Sequence, residues 1–297
     1  MLKEYRAVLT LTPNSLLSMI AHSSKPQPAT PHRLLLLHGL ASTPKEFGML
    51  MHPLRRLGVQ LITPEVPLYS DQSLAEAPRW QDWVESAREC VRAAAGPSPE
   101  PFVLGGLCTG AILALAVAAQ PLPGLRGLAL LSPLFSYDGW ALPWWYQLRH
   151  LAYWLHLEHH FSMRERPPFG LKNERMRLLV RRQLDAEQSS LVGPAKVALQ
   201  VVRESERLSH HMLSLLPQQT LPMLVLHARD DEICSLNSVR AALAGVPPQQ
   251  LYLSVLEDSY HMITADNDRQ RVADELAGFL WRLTGAITSK RSSPPAE

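Results

Sequence analysis

Gly106-Leu107-Cys108-Thr109-Gly110 has the form G-x-nucleophile-x-G, with a thiol at its apex. This spacing suits a sharp turn from strand to helix, whose apex residue is held in a strained conformation and whose flanks tolerate only glycine or another small residue. Cys108 then stands at a helix N-terminus, where the dipole and the free N–H groups favour a thiolate. Two further segments carry groups that could serve it. Asp230-Asp231-Glu232-Ile233 follows the apolar run Met223 to His227, and an acid there can orient an imidazole and stabilise its charged form. His261, in Ser259-Tyr260-His261-Met262-Ile263, lies between the last apolar run and the last helical pattern. Taken singly these signals are weak: free cysteines often pack in cores, and acids after a strand often belong to turns. Taken together, nucleophile 108, acid 231 and base 261 follow the Ser…Asp…His order of one fold in particular, and the chemistry to expect is nucleophilic catalysis by an activated side chain.

The elements needed to position these groups are visible as alternating strand and helix patterns, which argue for parallel βαβ units. Leu34 to Leu37 and Val59 to Pro64 are expected strands, with Thr43 to Leu57 bridging them. Trp80 to Ala95 carries apolar residues at helical spacing and stops before Gly96-Pro97. Phe102 to Gly105 is the strand that leads into Cys108, followed by a helix from about Thr109 to Gln120 and a strand over Leu125 to Leu131. From Phe135 to Gln219 strand-like runs disappear and aromatics cluster, the pattern of an inserted helical cap. Strands resume over Pro222 to His227 and Leu251 to Leu256, and a final amphipathic helix runs from about Arg269 to Leu283. In open parallel sheets ligands bind beyond the carboxyl ends of the strands, where Cys108, Asp231 and His261 all fall.

Composition narrows the function further. With 297 residues, 46% of them hydrophobic, the chain can bury a sizeable core. The formal charge of +2 is spread out with no block of like charges, so neither nucleic acid nor an anionic membrane is implied, and a small-molecule substrate is expected. Three cysteines at irregular spacing, without a CxxC pair, support neither a disulfide framework nor a zinc module. The N-terminal stretch lacks a secretory h-region and no apolar run reaches membrane-spanning length, so a soluble, cytoplasmic protein is expected. The G-x-x-x-x-G-K-[ST] and G-x-G-x-x-G spacings are absent, and no cofactor is expected.

Leu37-His38-Gly39-Leu40-Ala41-Ser42-Thr43-Pro44, the Gly106 to Gly110 turn, Asp231-Glu232-Ile233-Cys234 and Ser259 to Ile263 resemble the α/β-hydrolase superfamily. Within it they are similar to the capped carboxylesterases and monoacylglycerol-lipase-like hydrolases, over about residues 30 to 284. The resemblance implies an α/β fold with a mostly parallel central sheet flanked by helices. The core spans 1–134 and 220–285, with a helical cap over 135–219 and a disordered tail over 286–297. It implies that the backbone N–H groups of Leu40 and Thr109 form the oxyanion hole. It also favours Asp231 over Asp230 as the triad acid, since in these relatives the acid directly precedes an x-apolar pair such as Glu232-Ile233. The departure is Cys108, where most relatives carry serine; dienelactone hydrolases and polyhydroxyalkanoate synthases are similar in having G-x-C-x-G.

The expected activity is cleavage of a carboxylic ester or thioester through a Cys108 acyl-enzyme, since a thiolate exchanges readily with thioesters. Two alternatives stay open: an acyltransferase that passes the acyl group to an alcohol or amine, and a non-catalytic binding protein on a hydrolase fold. Trp140, Trp144, Trp145 and Trp154 suit either the cap core or an acyl-pocket wall, and the first three are the substrate-binding candidates. His156 and His160 are four apart but lack a third ligand, so no metal site is expected. His210-His211 suits a solvated face, Cys90 the apolar side of its helix, and Cys234 packing beside Asp231.

Overall fold

The computed structural model describes residues 32–70, 78–97, 100–187, 189–190 and 192–290. Residues 1–31, included above in the core, and the tail beyond 290 lie outside them.

Strand β1 (His32–Leu37) contains the four-leucine run, fully buried on both faces as a central parallel strand requires. A 3-10 turn (Pro44–Phe47) and α1 (Gly48–Arg56) lead to β2 (Val59–Ile62). Helix α2 (Trp80–Ala95) precedes β3 (Phe102–Leu107), which turns into α3 (Thr109–Ala118) and then β4 (Leu125–Leu131). The intervening cap holds α4 (Arg149–Trp154), β5 (Ser162–Arg164), α5 (Glu174–Glu187), β6 (Lys196–Ala198) and α6 (Leu199–Leu215). The core resumes with β7 (Met223–Ala228), α7 (Leu236–Leu243), β8 (Leu251–Leu256) and α8 (Arg269–Lys290).

The six core strands form one parallel sheet in the order β8-β7-β4-β3-β1-β2. The chain runs from β1 outward to β2 and then crosses back to β3, so the order reverses between β1 and β3. Leu37 pairs with Gly106 there, and the crevice beyond that pair is where such sheets bind ligands. One apolar cluster lies on each face, the first filled by α3, whose residues Thr109 to Val117 are all buried.

Two expectations need correction. The cap is not purely helical: β5 pairs antiparallel with β6, and Ser189–Ser190 pairs with Gly193–Pro194. Strands of two or three residues are too short for a period-two pattern to be read. Helix α8 extends to Lys290, past Leu283 and through the first five residues of the expected tail. Leu280 and Thr284 are still buried there, with Thr284 bonding back to the Leu280 carbonyl, and a docked helix propagates at little further cost.

Candidate active site

The elbow has the geometry that its spacing predicts. Cys108 adopts φ 59° and ψ −125°, a positive-φ conformation rare for a residue with a side chain. Its N–H donates to the Leu131 carbonyl, and its own carbonyl accepts from Leu134, so the strained residue is held from both sides. A Cβ at Gly106 would sit 2.3 Å from the Gly110 carbonyl oxygen, and one at Gly110 would sit 2.3 Å from that of His38. Only glycine permits β1, β3 and α3 to approach this closely.

The loop after β1 is pinned by two side chains. His38 Nε2 accepts from the Val66 N–H at 3.2 Å, so Nδ1 carries the proton and donates to the Gly39 carbonyl at 3.0 Å. Glu46 Oε1 accepts from the Gly39 N–H at 2.6 Å. Among the described residues, neither the Leu40 N–H nor the Thr109 N–H donates to a protein acceptor. Leu40, on the loop after β1, lines the same cavity as Cys108, and Thr109 follows Cys108 at the start of α3.

His261 Nδ1 donates to Asp231 Oδ2 at 2.8 Å. The second oxygen of Asp231 accepts from the Ile233 and Cys234 N–H groups, both at 2.9 Å. Burial opposes the Asp231 charge, but the His261 charge and these donors outweigh it and hold the carboxyl below its usual range. For His261 burial opposes the charged imidazole, yet Asp231 and then Cys108 raise its pKa well above the usual histidine value. Nε2 of His261 is buried with no protein hydrogen-bond partner, and it lies on the cavity that Cys108 also lines. Asp230 is instead exposed, 3.6 Å from Lys172, and takes no part in this arrangement.

The family model for serine aminopeptidase, S33, matches residues 29–268. The chain belongs to this family. Among solved structures, the Paleococcus ferrophilus monoacylglycerol lipase superposes with a TM-score of 0.66 at 16% identity, covering 84% of this chain and 95% of that one. A soluble variant of the Saccharomyces cerevisiae monoglyceride lipase gives 0.66 at 15% identity, over 86% and 87%. The thioesterase domain from the curacin biosynthetic pathway gives 0.55 at 14%, over 86% and 92%. No curated protein sequence matches the chain. These likenesses establish the α/β-hydrolase fold, and the residue at the elbow of this S33 chain is cysteine.

Cys108 and His261 open onto a cavity with about 920 Å³ of empty space, counting its mouth. Leu142, Met163, Phe169, Val197 and Val202 of the cap supply much of its apolar wall. The substrate-binding candidates do not: Trp140, Trp144 and Trp145 are 60%, 82% and 41% exposed and lie outside the cavity. Trp140 is tied back by its Nε1–H to the Asp230 carbonyl, and Arg166 lies over the Trp145 ring. Sequence clustering of aromatics gives no direction to the side chains.

Three carboxyls in the cavity wall of this S33 chain escaped the sequence analysis. Burial pushes Glu46 up to about 8, against the opposing Ser42, Gly39 and His261. Burial and then Glu232 push Glu165 up to about 7; it is enclosed by protein yet keeps surface on the open cavity. Burial and then Asp231 push Glu232 up to about 7, and its Oε2 accepts from the His261 N–H at 3.0 Å. Glu232 was visible only as the residue after Asp231, and Glu46 carried no signal beyond its place after His38-Gly39. Cys234 is buried, as expected, while Cys90 is half-buried and donates to the Glu65 carbonyl rather than filling the core. His156 and His160 are exposed outside α4, and among the described residues no group of three or more ligand side chains could hold a metal. No described helix is long and apolar enough to cross a membrane.

Proposed function

We propose that the protein hydrolyses carboxylic esters or thioesters through a covalent Cys108 acyl-enzyme. The observation that carries this reading is the Asp231–His261 hydrogen bond, which leaves His261 Nε2 unpartnered on the cavity that Cys108 also lines. Cys108 gives its proton to His261 Nε2 before the sulfur attacks the acyl carbon, and the carbonyl oxygen becomes an oxyanion facing the Leu40 and Thr109 N–H groups. Collapse breaks the bond to the leaving oxygen or sulfur, which takes the proton from His261. Water then attacks the thioester intermediate, gives a proton to His261, and Cys108 departs with the carboxylic acid formed. Asp231 keeps the imidazole in the required tautomer throughout. The apolar cap wall suits an uncharged acyl chain.

Intact-protein mass spectrometry with p-nitrophenyl esters and acyl thioesters tests this. Wild type is expected to gain one acyl group that decays in water, and Cys108→Ala none. Equal turnover and no adduct in either protein would refute it. An alcohol or amine acceptor that captures the acyl group faster than water would turn the same intermediate into that of an acyltransferase.

A further inference from the structure

Glu46 lies in the 3-10 turn Pro44–Phe47, is 2% exposed, and forms no salt bridge among the described residues. A glutamate is almost never buried without a cation to meet it, and a local rule broken beside reactive groups points to function. Its side chain and its backbone hold two different loops. Oε1 accepts from the Gly39 N–H at 2.6 Å, on the loop after β1. The Glu46 carbonyl accepts from the Thr264 hydroxyl at 3.1 Å, on the loop that carries His261. Phe47, the next residue, is fully buried in the core and fixes the base from which the side chain reaches.

The bond to Gly39 completes a clamp. The Gly39 carbonyl already accepts from the Ser42 N–H at 3.1 Å and from His38 Nδ1 at 3.0 Å. The Gly39–Leu40 peptide is trans, so the Leu40 N–H points opposite to that carbonyl. With Glu46 on the preceding N–H, the peptides on both sides of Gly39 are held, and glycine would otherwise turn about them with little restraint. A Cβ at Gly39 would lie 3.3 Å from Glu46 Oε2 and 3.6 Å from the Cys108 Cβ, so carboxyl and elbow flank the same stretch of backbone. We infer that Glu46 is a positioning residue for the oxyanion hole: it sets the direction of the Leu40 N–H and ties that loop to the loop of His261. The role rests on the acyl-enzyme reading, in which the Leu40 N–H meets the oxyanion. Burial pushes the carboxyl up to about 8, against Ser42, Gly39 and His261, so near neutral pH it is mostly protonated. It therefore holds Gly39 without setting a full negative charge beside the developing oxyanion.

Stopped-flow acylation by p-nitrophenyl acetate, compared with iodoacetamide alkylation read at Cys108 by mass spectrometry, tests the role on the full chain. Alkylation needs the thiolate but forms no oxyanion, whereas acylation needs both. Glu46→Leu is expected to slow acylation by about tenfold or more and to leave alkylation within about twofold of wild type. Glu46→Gln, whose amide oxygen can still accept from Gly39, should recover most of that loss. If Glu46→Leu is poorly folded, Glu46→Asp, one methylene short of Gly39, gives the same comparison. Unchanged acylation in these shortened or apolar variants, or acylation and alkylation slowed equally, would overturn the inference. So would Glu46→Gln as slow as Glu46→Leu. Wild type that is alkylated at Cys108 but never acylated would refute the acyl-enzyme reading itself, and this role with it.

Discussion

Asp231 and His261 are thirty residues apart in the chain and joined by a 2.8 Å hydrogen bond at the carboxyl end of the sheet. The adjacent strands β7 and β8 run parallel, so the loops that follow them emerge side by side, and this alone makes the pair meet. Asp231→Asn would present an amide that cannot stabilise the charged imidazole, and kcat/KM is expected to fall by about a hundredfold or more. Asp230→Asn should leave it within about twofold, because the exposed Asp230 carboxylate pairs with Lys172 at the surface, away from His261. Steady-state kinetics on one p-nitrophenyl ester distinguishes the two; equal losses would remove Asp231 from its role.

The elbow makes a prediction about stability rather than rate. Gly110→Ala would place a methyl group 2.3 Å from the His38 carbonyl oxygen and 2.4 Å from that of Leu37. Backbone cannot yield that far without separating β1 from α3, so a loss of about 3 kcal/mol or more is expected. Urea unfolding monitored by fluorescence measures it. A change below about 1 kcal/mol would mean that the elbow relaxes more easily than its packing suggests.

The residues that make both predictions were legible in the sequence because their chemistry depends on local spacing. Gly106, Cys108 and Gly110 sit on one turn, and Asp231 and His261 each follow an apolar run long enough to be recognised as a strand. The carboxyls at Glu46, Glu165 and Glu232 were not legible, since a glutamate in a loop looks solvated until the fold closes over it. Trp144 and Trp145 misled for a related reason. Apolar side chains are expected inside, and only the burial of Tyr146 and Arg149 reveals that the cap turns its tryptophans out. The two-residue and three-residue ladders of the cap fall below the length at which periodicity carries information.

Glu46 should make stability depend on pH. Its pKa is raised from 4.5 to about 8 in the folded protein. The protonated carboxyl therefore contributes its full stabilisation below about pH 4.5, and that contribution is lost as pH rises through about 8. Linkage puts the loss on the order of 3 to 5 kcal/mol for a fully buried group. Glu46→Gln should flatten the decline in Tm between about pH 5 and pH 9, leaving a shallower slope from Glu165 and Glu232. Parallel Tm curves for wild type and variant would show that Glu46 ionises freely.

The cap ladder is expected to set how long an acyl chain the cavity accepts. Met163 on β5 pairs with Val197 on β6, and both line the cavity beside Cys108. Val197→Phe adds volume at that wall without touching Cys108, Asp231 or His261. It is expected to lower kcat/KM for long-chain p-nitrophenyl esters by about tenfold or more, while the acetate ester stays within about twofold. Met163→Ala removes volume at the partner position and should shift preference toward longer chains. A chain-length series on the three proteins provides the check: if Val197→Phe slows acetate and long-chain esters equally, the ladder supports the site without measuring the substrate.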